Sequence, residues 1–153
     1  MGSRRPSPNA FSLTFSTGAA PMKADPRPDR HAELVRRLKQ GERFVLDEVE
    51  FAGRTTVLVQ EDGIGDLARA MEAVPKARVR IEVFVDATGN KQSDASASMA
   101  QAMAVVRRLV ALGVARDRIA QVAKGGKDPV TPSFTAKGRA ANRRVEVVSS
   151  KGR

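Results

Sequence analysis

The sequence predicts an α/β sandwich, helices packed on a mixed β-sheet, and three observations predict it. Segments with a helical repeat alternate with segments of period two along most of the chain. Ile64, Leu67, Ala68 and Met71 recur at i, i+3, i+4 and i+7 and mark one apolar helix face. "RVRIEVFV" sends Val79, Ile81, Val83 and Val85 to one side and Arg80, Glu82 and Phe84 to the other, as a strand with a buried face does.

The elements follow in order. Residues 1–28 are rich in Ser, Pro, Gly and Arg without a sustained period, and read as a disordered leader or linker. The domain is expected over 29–150, with 151–153 a short tail. Asp29 is placed to N-cap a helix reaching Gln40, with Leu34, Val35 and Leu38 on one face and Gly41 as its stop. "RFVLDEVEF" reads as one strand with a break near Asp47. Asp62 caps the helix carrying the Ile64 stripe, and Pro75 ends it. The strand at 78–85 stops at Asp86 and a turn. A long helix is predicted from about Asp94 to Leu112, with Met99, Ala102, Met103, Val106, Leu109 and Val110 as its apolar stripe and Gly113 as its stop. "RIAQVA" is a strand, "GGKDPVTPS" a loop, "TAKGRAAN" a short helix and "RRVEVV" the last strand.

Composition excludes several functions. The chain has 153 residues and 41% hydrophobic content, enough for a core. Aromatics are only 4%, with no Trp or Tyr, which argues against a base-stacking platform. No cysteine and a single histidine argue against a structural zinc site. The net charge of +10 favours polyanions or serves solubility. No apolar run approaches the roughly 20 residues that span a bilayer, and no signal-peptide core is visible.

No enzyme is expected. His31 lies in the first helix, away from any nucleophile motif, and "KGGK" at 124–127 lacks the spacing of a phosphate loop. Two features remain. Asp86 ends the best strand and is either a turn residue or a ligand-binding carboxylate. Arg139, Asn142, Arg143 and Arg144 crowd the last helix–strand junction, where the arginines either grip an external carboxylate or pair with Glu146 or Asp128.

"GRAANRRVEV" resembles the C-terminal signature of OmpA-like domains, the peptidoglycan-associated family. The likeness runs from about Arg30 to Ser150. "LKQGERFVLDEVEFAG" is similar to the family's first helix and strand, "LGVARDRI" to its helix exit, and Pro129 to the loop before the signature. "VPKARVRIEVFVDATG" stands where the family has a strand and "GHTDxTG". The resemblance implies a βαβαβ mixed sheet with helices packed on it, and a noncatalytic grip on diaminopimelate in the peptide stem of peptidoglycan. It implies no cofactor and no metal. In the family the Asp of that motif holds the ammonium end, and the Arg of "LSxxRA" holds the carboxylate.

By this resemblance the candidate ligand residues are Asp86, Thr88, Gly89, Asp94, Ser98, Gln101, Arg139, Asn142, Arg143 and Arg144. The chain also departs from the pattern. Val83, Phe84 and Val85 replace the Gly, His and Thr, Asp94 replaces an Asn, and Gln101 replaces the carboxylate-holding Arg. Losing one charged arm costs about 1.5–3 kcal/mol, or roughly tenfold to a hundredfold in affinity. On that basis an arginine at 101 is expected to strengthen binding. The expected function is a cell-envelope module of the periplasm or outer membrane that tethers or assembles a complex, with peptidoglycan binding weak or lost. The alternative is a genuine peptidoglycan anchor in which Arg139, Arg143 or Arg144 replaces the missing arginine. Expected partners are peptidoglycan and envelope proteins; a membrane tether would lie outside this stretch. A basic nucleic-acid binder is the lesser reading, since the chain lacks aromatics and a recognition-helix pattern.

Overall fold

In the computed structural model, which describes residues 28–132 and 135–150, the chain opens with α1 (Pro28–Gln40). It continues through β1 (Arg43–Val45), β2 (Glu50–Phe51), β3 (Leu58–Gln60), α2 (Asp62–Ala73) and β4 (Arg78–Phe84). Then come α3 (Lys91–Ala111), β5 (Ile119–Gly125), α4 (Ala136–Asn142) and β6 (Arg144–Ser150). The leader expected over 1–28 and the tail over 151–153 lie outside the described residues, except that Pro28 opens α1.

Four strands form a mixed sheet in the order β1-β6-β4-β5. β6 runs antiparallel to both β1 and β4, and β4 runs parallel to β5, the crossover being α3. The predicted sandwich is therefore what the chain builds. Its helices cover one sheet face. Leu34 and Leu38 of α1, Ile64, Leu67 and Met71 of α2, and Val105, Val106 and Leu109 of α3 share one buried cluster with Val79, Ile81, Val83, Val145 and Val147 of the sheet. Asp66, on the polar side of α2, is buried too, and ties α2 to α1 through Arg30 (2.6 Å) and to its own helix through Arg69.

The opposite sheet face is held by charge. Glu82 and Glu146 face each other in register on β4 and β6, an arrangement that repels unless cations intervene. Arg43 bridges both at 2.7 and 2.8 Å, Arg80 adds a contact to Glu82 at 2.8 Å, and Arg144 holds Glu146 at 2.6 Å. The arginine stems bury Glu82 to 2% exposure. Burial raises the cost of both charges, but the arginines outweigh it and hold both carboxyls below their ordinary value.

Several expected boundaries move. "RFVLDEVEF" is not one strand: Glu48, at φ 63°, turns the chain. β2 then leaves the main sheet to pair with β3, a strand the sequence reading missed. Asp29 lies in the first turn of α1 rather than at its cap. Asp62 likewise begins α2, where Glu61 stands at the cap without a side-chain bond. α3 starts at Lys91, three residues early, because the Asn90 side chain caps it by accepting from Ser93 N–H at 3.0 Å. Its buried face is also rotated. Met99 and Val110 are more than a third exposed, while Val105, Asp94, Ser98 and Gln101 point inward.

Candidate functional site

β4 ends where its chain turns over the start of α3. Val85 N–H still bonds Gly125 O at 2.8 Å, and Asp86 then leaves the ladder. The turn is packed closely from beneath: a Cβ on Gly126 would fall 2.5 Å from the Ala87 Cβ. Gly89, at φ +92°, reverses the chain into α3.

Asp94 holds this turn from the first turn of α3. Its carboxylate accepts from Thr88 N–H at 3.1 Å, from the Thr88 hydroxyl at 2.7 Å and from Arg54 Nη2 at 3.0 Å. Burial opposes its charge, but the Thr88 donors and then the Arg54 guanidinium prevail and keep the carboxyl below its ordinary value. Thr88, Gly89 and Asp94 thus shape the turn that presents Asp86.

Asp86 itself is 20% exposed at the side chain. Its Oδ1 is shielded from solvent and accepts no hydrogen bond. Its Oδ2 lies 3.9 Å from Arg139 Nε on α4. A shielded carboxylate oxygen without a donor is costly, so it is a strong acceptor for a cationic group.

Ser98 and Gln101 continue the Asp94 face of α3 at i+4 and i+7, and both turn inward. Ser98 Oγ accepts from Gly125 N–H at 2.9 Å and donates to Ala95 O at 3.1 Å, fixing the end of β5 on α3. Gln101, 4% exposed, donates from Nε2 to Gly53 O at 3.2 Å and Thr55 O at 2.8 Å. It grips the β2–β3 loop on both sides of Arg54. The held loop lays Arg54 across the start of α3, where Nη1 donates to Asp86 O at 3.2 Å and Nη2 reaches Asp94 and Ser93 Oγ. Sequence reasoning missed Arg54. The one available signal was "GRTT" between two short period-two runs, a hairpin turn beside an arginine.

The other candidates separate. Asn142 Oδ1 accepts from Val130 N–H at 2.7 Å and Thr131 N–H at 3.1 Å, and its Nδ2 donates to Thr131 O, so it anchors the loop before α4. Arg144 stacks over the Phe84 ring at 3.8 Å from its centroid while bonding Glu146 and Asp128 O. Of the two readings of the last junction, internal pairing therefore describes Arg144. Arg139 stands beside Asp86. Arg143 is exposed and lines a cavity of about 300 Å³, together with Gly53, Phe84, Gln101 and Arg144. Among the described residues no three His, Cys, Asp or Glu side chains gather as a metal site, and no helix is long and apolar enough to cross a membrane.

The OmpA family profile matches residues 51–143, more than half of the chain. The chain belongs to the OmpA family. Peptidoglycan-binding protein ArfA of Mycobacterium tuberculosis is 38% identical over 96 residues, which cover 63% of this chain and 29% of that protein. The chain thus matches well under half of that relative's length. The cell wall anchor of the T6SS from Pseudomonas aeruginosa superposes with a TM-score of 0.57 at 28% identity, over 72% of this chain and 80% of that one. The periplasmic domain of Helicobacter pylori MotB has a TM-score of 0.61 at 18% identity, over 71% and 74%. This last likeness is one of fold.

Of the residues the sequence resemblance singled out, Asp86, Thr88 and Gly89 lie together on the turn after β4, and Ser98 lies on the buried side of α3. Gln101, which the sequence resemblance set at the place of an arginine, is a buried amide committed to the protein's own backbone. Phe84, where the motif has His, lies flat under Arg144 at 3% exposure.

Proposed function

We propose that this chain is a noncatalytic cell-envelope module of the periplasm that holds the peptide stem of peptidoglycan weakly, with Asp86 as its anchor. The observation that carries this reading is the Asp86 carboxylate, on the turn just after β4, with Oδ1 shielded and accepting nothing. An ammonium group of the stem would satisfy it by a charge-assisted bond. The name of the 38%-identical relative supports the same ligand.

The binding is weak for three local reasons. Gln101 contributes no charge and spends its amide on the loop. Arg54 shares its charge with Asp94. Arg139 stands 3.9 Å from the carboxylate the ammonium would use. The module tethers its partners to the wall rather than transforming a substrate.

Calorimetry with a soluble diaminopimelate-containing muropeptide tests the reading. Weak saturable heat is expected from the wild type, and Asp86→Ala should abolish it. Tight binding that Asp86→Ala leaves untouched would refute both the site and the weakness.

A further inference from the structure

We propose that Arg54, carried on the β2–β3 loop, supplies the positive charge that holds the carboxylate of the bound amino-acid end, and that Gln101 acts by positioning it. This rests on the peptidoglycan-stem reading above. It assigns the carboxylate side of that site to a residue outside the family motif.

Arg54 is placed for the task. Gln101 fixes the carbonyls of Gly53 and Thr55, the residues on either side of it, so the loop cannot swing without breaking two bonds from a buried amide. The guanidinium rests one residue's backbone from the anchor, on Asp86 O at 3.2 Å, and on Asp94 at 3.0 Å. It stays 36% exposed. Arginine has five N–H donors. Its hydrogen bonds engage Nη1 and Nη2, which leaves Nε–H for an incoming carboxylate. An amino-acid zwitterion carries its ammonium and carboxylate on one carbon, and Arg54 rests on the backbone of the residue whose side chain would take the ammonium.

The other arginines fit the role less well. Arg144 is 9% exposed and engaged by Glu146, Asp128 O and the Phe84 ring. Arg139 faces the Asp86 carboxylate, on the ammonium side. Arg143 is exposed and has no side-chain partner among the described residues, so it must surrender rotamer freedom when it binds. Arg54 has surrendered that freedom before the ligand arrives.

The test pairs two probes: a muropeptide whose diaminopimelate end has a free carboxylate, and the same muropeptide with that carboxyl amidated. Calorimetry is run on the wild type, Arg54→Gln, Arg54→Lys and Asp86→Ala. The wild type should prefer the free carboxylate by about tenfold. Arg54→Gln should bind both probes alike, at the wild type's affinity for the amidated one, and Arg54→Lys should keep part of the preference. If Arg54→Gln weakens both probes equally and preserves their ratio, Arg54 only supports the loop and the proposal fails while the Asp86 reading stands. A wild type that does not distinguish the probes also overturns the proposal. If Asp86→Ala binds normally while Arg54→Gln erases the preference, the anchor is wrong and the Arg54 assignment holds. Absence of binding to either probe overturns both.

Discussion

Gln101→Leu separates a loop strut from a ligand arm. Leucine keeps most of the volume and removes the amide. Gly53 O and Thr55 O then lose their donor, and each bond contributes about 0.5–1.5 kcal/mol net, so full loss would cost about 1–3 kcal/mol. Both residues are exposed on the loop, so water recovers part of each bond. The buried leucine also regains some transfer free energy, and about 1–2 kcal/mol of destabilisation remains. In a domain of this size that lowers the melting temperature by about 4–8 °C. The loop should respond more strongly than the fold, because its tie to α3 is gone and Arg54 is no longer laid over Asp94. Thermal unfolding followed by circular dichroism measures the first effect, and amide exchange at residues 53–55 measures the second. Unchanged exchange at those amides would refute the strut, whatever the melting temperature does. If the melting temperature fell with exchange unaltered, Gln101 would matter for packing alone.

Three further outcomes follow from the geometry. Glu82 and Glu146 are held below 4.5 and Asp94 below 3.8 in the folded chain. The unfolded chain therefore binds more protons in acid, so stability is full above about pH 5 and falls as pH drops through the lowered folded values; a urea midpoint flat from pH 5 to about pH 3 would contradict this. Gly126→Ala puts a Cβ 2.5 Å from the Ala87 Cβ and 2.7 Å from its Cα. It should cost about 1–3 kcal/mol in urea unfolding and weaken muropeptide binding by moving the Asp86 turn; unchanged values of both would show that the turn has slack. Asp66→Ala leaves Arg30 and Arg69 without the carboxylate that joins α1 to α2, and should lower stability by about 2–3 kcal/mol, read in the same assay.

The parts of the fold that were legible in the sequence are those where polarity tracks burial. The Ile64 stripe and the Val79, Ile81 and Val83 side of β4 are of this kind and lie in the core, although Glu82 and Phe84 on the other side are buried as well. α3 misled because its inward face carries Asp94, Ser98 and Gln101. A reading that looks for apolar residues slides off such a face onto Met99 and Val110, which are partly exposed. β2 and β3 are two and three residues long, too short for alternation to register, and Glu48 turns the chain without a glycine to announce it. The Asp86 turn was visible through its motif. Arg54 was not, because its partners lie 32 to 40 residues away and only the folded chain brings them together.

The grip of Gln101 on the β2–β3 loop bears on how this site could arise from, or return to, one with an arginine on α3. An arginine at 101 would bring a second guanidinium to the loop that already carries Arg54. Removing Arg54 first would leave Asp94 anionic and unbalanced beside the ligand's carboxylate. Positions 54, 94 and 101 are thereby coupled, because Gln101 holds the loop that lays Arg54 on Asp94. The expectation that an arginine at 101 strengthens binding is therefore best measured both with Arg54 present and with Arg54 replaced. If Arg54 delivers the charge as proposed, counting arginines at one helix position would misjudge whether this chain carries a complete site.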